Sequence, residues 1–257
     1  MAAKTRPVLG RSARGAPYVR RLVRQATANA EFATSLIRLM KLVGLRRTSR
    51  LLRLLEVEFG HQLSWRKRLP VDKRGAPLPW YTYPAIEYLQ QLDFSDCEVF
   101  EFGAGNGSLF WAERARRVVS VESDARWCEF VRQAGRPNLE IRLVEDLTRY
   151  PQAIGEEAGA FRVIVVDGQR RYACVQTAVE RLAEGGLIIL DNADWYPKSA
   201  AYLRDVGLIE VDFSGFGPVN DYTWTTSLFL TRQIQLRPSG RQPCYSIGSL
   251  AQTADPE

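Results

Sequence analysis

The run Val99-Phe100-Glu101-Phe102-Gly103-Ala104-Gly105-Asn106-Gly107-Ser108 decides how the rest of the chain is read. Its apolar start has the character of a short buried strand, which stops at a turn with glycines at alternate positions. Leu109-Phe110-Trp111-Ala112-Glu113-Arg114 comes directly after it and reads as the first turns of a helix. Alternate glycines let the backbone bend sharply and approach a ligand with no Cβ in the way, and the start of the helix offers unpaired N–H groups. Strand, tight turn and helix together form a nucleotide cradle, although a glycine-rich turn standing alone is often only a turn.

The next strand strengthens the cradle reading. Val118-Val119-Ser120-Val121 is again apolar and ends in Glu122, nineteen residues after Gly103. A carboxylate at a strand end with this spacing can accept both hydroxyls of a ribose; the plain alternative is a solvated acid. The nicotinamide fingerprint G-x-G-x-x-G is not met, because position 108 is Ser.

Composition limits the classes of function. The 257 residues are 46% hydrophobic and 25% charged, an ordinary globular balance that excludes disorder throughout and suits one sizeable α/β domain with an appendage. Four cysteines, at 97, 128, 174 and 244, include no C-x-x-C pair and read as free thiols in a reducing, cytoplasmic setting. His61 is the only histidine, so a multi-histidine metal site is impossible. The net charge of +6 is unevenly spread: residues 1–74 hold 18 Lys and Arg against 4 Asp and Glu, and the remainder is acidic. No run of about 18 apolar residues offers a bilayer span.

Taken in order, residues 1–30 contain no acid and read as a mobile basic arm, with a composition that would also suit a transit peptide. Residues 31–79 form a basic helical extension. Phe32, Leu36, Leu39, Met40 and Val43 fall at helical spacing, and a second helix over about Ser49 to Glu58 carries Leu51, Leu52, Leu54, Leu55 and Val57 beside Arg50 and Arg53. Such helices suit the protein's own core or a homodimer partner, an anionic membrane surface at which the protein would be peripheral, or a nucleic acid. Pro70, Pro77 and Pro79 mark a linker. Residues 80–232 then alternate strand and helix, as in a parallel sheet wound on both faces with a crevice beyond the strands' C-terminal ends. The loop between the last two strands has no room for a helix, so these strands pair antiparallel. Residues 233–257 read as an irregular tail.

The segment Glu101 to Gly107, with Glu122 and the later strand ends Asp167 and Asp191, resembles the class I S-adenosylmethionine-dependent methyltransferases over about residues 80–232. The resemblance implies a Rossmann-like, doubly wound, seven-stranded sheet with its last strand antiparallel. It implies cofactor contacts from Glu101, Gly103, Ala104, Gly105, Asn106, Gly107, Glu122, Ser123 and Asp167, with Asp146 at the adenine edge. Tyr81, Thr82 and Tyr83 would border the methionine end or seal the core. At a finer level the chain resembles metal-dependent O-methyltransferases, in which an Asp after strand four and an Asp-Asn pair after strand five hold Mg²⁺. Here these are Asp167, Asp191 and Asn192, three hard oxygen ligands. Asp167 and Asp191 are the catalytic candidates on this reading; otherwise they are polar strand ends of a metal-free enzyme.

Where those families tend to place Lys or His, this chain has Gln169-Arg170-Arg171. Arginine cannot act as a base, so Arg170 is expected to hold an anionic group on the acceptor, or else metal and carboxylate do the deprotonation. Trp195, Tyr196, Phe216, Asp221, Tyr222 and Trp224 overhang the same mouth and suit a small-molecule or glycan hydroxyl acceptor. Two other functions remain open on sequence alone: an RNA or protein methyltransferase gripping its substrate with the basic region, and a non-catalytic assembly factor.

Overall fold

The computed structural model describes residues 31, 32, 34–36, 38, 39, 42 and 44–250. The basic arm expected over 1–30, the positions Met40, Lys41 and Val43 of the first helix, and the last residues of the tail lie outside these. The chain divides into two compact units, one ending at Arg53 and the other starting at Leu54. In the first unit, the described residues from Glu31 to Leu42 are helical, and a second helix spans Arg46–Arg53.

The second unit contains a seven-stranded sheet: β1 Glu98–Phe102, β2 Arg117–Glu122, β3 Leu139–Leu143, β4 Phe161–Val166, β5 Leu182–Leu190, β6 Ile209–Gly215 and β7 Trp224–Leu230. Their spatial order is β3-β2-β1-β4-β5-β7-β6. β7 inserts between β5 and β6 and runs antiparallel to both, so it alone is reversed, as the short loop before it predicts. The central strands are Val-, Ile- and Phe-rich because both faces are covered. Val99, Val163, Val165, Leu187 and Ile189 pack on one side with Phe110 and Trp111; Phe100, Phe102, Ile164, Val166 and Ile188 pack on the other with Tyr150, Cys174 and Val175. Cys97, Cys128 and Cys174 are buried free thiols, and Cys244 is exposed.

The compact unit starts earlier than the sequence suggests. Ser64 Oγ donates to the Val71 carbonyl at 2.7 Å and accepts the Val71 N–H at 3.0 Å, and Val71 bridges Pro77. Asn106 Nδ2 of the glycine turn donates to the Pro70 carbonyl at 2.6 Å. The proline-punctuated stretch is therefore a wall of the sheet-bearing unit and not a linker. The prolines remove donors but leave carbonyls, and the turn uses one of them. At the other end, Ser239 N–H donates to the Gln91 carbonyl at 2.8 Å and Ile234 and Leu236 pack on the core, so the tail lies along the sheet.

Trp111 joins this scaffold to the site. It is fully buried, packs against Phe94 and Phe110, and donates its indole N–H to Tyr81 Oη at 3.3 Å. Trp111→Ala is expected to cost about 3–5 kcal/mol of unfolding free energy in urea titrations.

Candidate functional site

Parallel strands β1 and β4 are neighbours, so their C-terminal turns meet. The helices that come after them pack on opposite faces, which opens a crevice at this point. A cleft of about 570 Å³ occupies it, within the ordinary range for a small-molecule site. Its wall includes Glu101, Gly103, Ala104, Gly105, Asn106, Gly107, Glu122, Ser123 and Asp167, so nine of the ten expected cofactor residues come together.

Two of the glycines are required by their surroundings. Gly103 has φ +103°, and a Cβ there would lie 2.8 Å from the Gly168 nitrogen. A Cβ on Gly107 would lie 2.7 Å from Glu101 Oε1. Gly105 is different: a Cβ there meets nothing, so the free space before it belongs to the cleft.

Glu122 is anchored by backbone. Its Oε1 accepts the N–H groups of Ser123 at 2.6 Å and Asp124 at 2.9 Å, and its Oε2 accepts that of Ala104 at 3.0 Å. A carboxylate oxygen has two lone pairs, so Oε2 keeps one for a ligand hydroxyl. Glu101 is 2% exposed, and its Oε2 accepts the hydroxyls of Ser108 and Ser120. Burial pushes its pKa up to about 8, against the pull of those two donors. Trp127, in the first turn of the helix Ala125–Arg132, shares the cleft wall with Glu122 and Ser123, a placement that sequence reasoning misses because an aromatic residue at that position reads equally well as core packing.

Asp146 is placed elsewhere. It does not line the cleft; its carboxylate caps its own turn by accepting the Thr148 N–H at 2.8 Å and the Thr148 hydroxyl at 2.6 Å. A short acid in a strand-end turn is readily captured by the amide two residues on.

The metal reading is also corrected, and Arg171 is the reason. Its Nε donates to the Gly168 carbonyl at 3.1 Å, and Nη2 donates to the Asp167 carbonyl at 3.1 Å and to Asp167 Oδ1 at 2.8 Å. Nη1 donates to the Asp191 carbonyl and to Asn192 Oδ1, the latter at 2.9 Å. All five guanidinium donors are used. The Tyr196 ring stacks 4.6 Å from its centre. A fixed positive charge thus sits among the oxygens that a magnesium ion would need, and those residues do not fit the ion. Among the described residues no three His, Cys, Asp or Glu side chains form a metal-binding group.

Arg170 is displaced as well. It is exposed, lies off the cleft, and takes a left-handed backbone with φ 54° just before the helix Arg171–Glu180. This backbone turn directs residue 171 inward, and spacing alone could not choose between two adjacent arginines. With its donors used up, Arg171 cannot serve the anion-holding role expected of Arg170.

Asp191 lies beneath this cluster, 2% exposed, its Oδ1 accepting Trp224 Nε1 at 3.0 Å and Thr226 Oγ1 at 2.6 Å. Burial, then the neighbouring Asp167, raises it well above the carboxylate range. Asp167 is pushed up to about 6 by burial, with Arg171 pulling the other way. The two carboxyls titrate as a pair that binds a proton more readily than ordinary carboxylates do, with Arg171 beside Asp167 pulling the other way.

Trp80, Trp195, Tyr196, Asn220 and Tyr222 complete the cleft. Tyr81 and Tyr83 seal the core, the second of their two readings, while Trp80 beside them lines the cleft; its buried Nε1 has no partner among the described residues. Tyr222 stands between Trp195 and Trp224, ring centres 6.0 Å from each. Asp221 and Phe216 are off the wall. The loop before β7 is held by His61, whose Nε2 lies 2.7 Å from the Asn220 carbonyl, so the single histidine serves structure and no catalytic triad. Val219 there has φ 73°, and Asn220 N–H bonds back to the Pro218 carbonyl at 2.9 Å, a tight three-residue turn.

No protein-family model matches the chain, and no curated protein matches it in sequence. Among solved structures it is similar to a precorrin-6y C5,15-methyltransferase from Geobacter metallireducens, at 14% identity and a TM-score of 0.47, over 58% of this chain and 86% of that one. It is also similar to the precorrin 8W decarboxylase of Methanobacterium thermoautotrophicum, at 18% identity and a TM-score of 0.45, over 64% and 97%. A third is the N-methyltransferase NodS from Bradyrhizobium japonicum, at 16% and 0.42, over 56% and 90%.

Two outcomes are expected from this geometry. Gly105→Ala should leave thermal stability unchanged while closing the cradle, whereas Gly107→Ala should lower stability by pushing on the buried Glu101. Glu101, Asp167 and Asp191 bind protons more tightly folded than unfolded, so together they make stability fall as pH rises from about 4 to about 8. The dependence of melting temperature on pH across that range should be shallower for Glu101→Gln; an unchanged slope would remove Glu101 as a cause. By strand order, the single reversed strand and the crevice at the carboxyl ends of the parallel strands, the chain has the Rossmann-like fold of class I methyltransferases.

Proposed function

We propose that the protein is an S-adenosylmethionine-dependent methyltransferase that O-methylates a neutral small-molecule or glycan hydroxyl. The observation that carries this is the glycine turn of 103–107 opening, together with Glu122 Oε2, onto one cleft. The residues suit the cofactor. Glu122 has a lone pair left for a ribose hydroxyl, the space before Gly105 admits a close backbone approach, and Trp127 offers a flat wall. Glu122, Asp124 and Asp167 line the cleft with Arg171 as the only cation among its lining residues, a negative field suited to a positively charged ligand.

When bound, S-adenosylmethionine supplies a methyl group made electrophilic by its sulfonium. The chain must align the acceptor and take its proton. Asp167 is suited to take the proton, because it is ionised at neutral pH and held through Oδ1 by Arg171, which leaves Oδ2 to receive it from a hydroxyl. Asp191, more deeply buried, is shifted further toward its protonated form by burial and by Asp167. Trp195 and Tyr222 offer ring faces to a sugar or aromatic ring, and no cleft cation has a donor left for an anionic acceptor.

Calorimetric titration with S-adenosylmethionine should show saturable binding, weakened about tenfold or more by Glu122→Ala or Gly105→Ala; no binding at millimolar ligand would overturn the proposal. With methyl-labelled cofactor and a panel of neutral glycosides and phenols, labelling should survive a metal chelator. It should fall as pH drops below about 6, where Asp167 takes up its proton. Asp167→Asn should reduce labelling by about 100-fold with cofactor binding intact.

A further inference from the structure

We propose that the first compact unit is a docking surface for anionic lipid bilayers, holding the enzyme at a membrane surface without crossing it. This goes beyond the reading of the cleft and does not depend on it. Residues 1–53 contain 13 Lys and Arg and one acid, Glu31. In the first helical stretch Phe32, Leu36 and Leu39, spaced by four and three residues, form one stripe. All three are exposed, Phe32 by 70% and Leu39 by 57%, and Leu42 beside them by 83%. In the helix Arg46–Arg53 the exposed Leu51 and Leu52 lie on one side, with Arg46 and Arg50 four residues apart on the other. Ser49 is its only buried residue.

An apolar stripe and a basic face on the same short helices match the boundary between headgroups and acyl chains, where leucine and phenylalanine sink in and arginine meets anionic headgroups. Other occupants match less of this surface. A second copy would bring a strongly positive segment against its like, and a nucleic acid would leave the leucines in water. No helix among the described residues is long and apolar enough to cross a bilayer, so the contact is with one leaflet.

The full-length chain should co-sediment with sucrose-loaded phosphatidylcholine vesicles containing phosphatidylglycerol and not with pure phosphatidylcholine vesicles. Partitioning should weaken about tenfold in Leu36→Ser/Leu39→Ser and at least as much in Arg46→Glu/Arg47→Glu/Arg50→Glu. These positions are exposed, so the fold of the second unit should be unaffected. Failure to sediment with the anionic vesicles would overturn the proposal. So would sedimentation that the serine pair leaves unchanged, which would assign the segment to a soluble polyanion such as RNA.

Discussion

The site depends on the contact between two turns. Gly103, after β1, and Gly168, after β4, lie back to back so closely that neither has room for a side chain. Adjacent parallel strands bring the two turns together, and the opposite paths of the helices beyond them leave a crevice above. The turn at 103–107 continues into the Glu122 carboxylate through the Ala104 N–H, and the turn at 167–171 continues into the guanidinium cluster. The two halves of the cleft are therefore joined through backbone, with little freedom to move apart.

Charge distinguishes those halves. On one side, Glu101 is held by hydroxyls and made proton-hungry by burial, and Glu122 is held by amides with no cation among the described residues within hydrogen-bond reach. On the other, Asp167, Asp191 and Asn192 surround a guanidinium that has used every donor. A permanent cation in this position does what a divalent ion would do for the carboxylates, but it is covalently attached and presents no open coordination site. It orients Asp167 and tempers its proton affinity.

The parts of this arrangement legible in the sequence share one property: they are fixed by backbone geometry. A glycine at φ +103°, a carboxylate at the end of a buried strand, and a β-hairpin too short for a helix leave their mark in residue type and spacing. The strand order and the convergence of residues 101–107 with 122 and 167 derive from them. The undecided parts depended on side-chain direction. Arg170 and Arg171 differ by one step of helix phase, and the left-handed turn at Arg170 that settles it has no glycine to announce it. Asp146 is captured by its own turn. Tyr81 and Tyr83 take the core-sealing one of their two readings and Trp80 lines the cleft, because the segment is pinned by Thr82, whose N–H donates to Thr226 Oγ1 at 3.0 Å and whose hydroxyl donates to the Phe213 carbonyl at 2.7 Å. The proline stretch reads as a linker because a carbonyl used as an acceptor leaves no trace in composition.

The tight turn at Pro218-Val219-Asn220 bears on recognition. A β-branched residue in the left-handed region costs free energy and has few alternative conformations nearby. Closed by the bond from Asn220 to Pro218 and clasped by His61 from outside, the loop spends that cost at folding, before any molecule arrives. A guest settling against Asn220 and Tyr222 meets a rim whose disorder has already been removed. Its binding then forfeits less entropy, and guests of the wrong outline find a wall that does not remould around them.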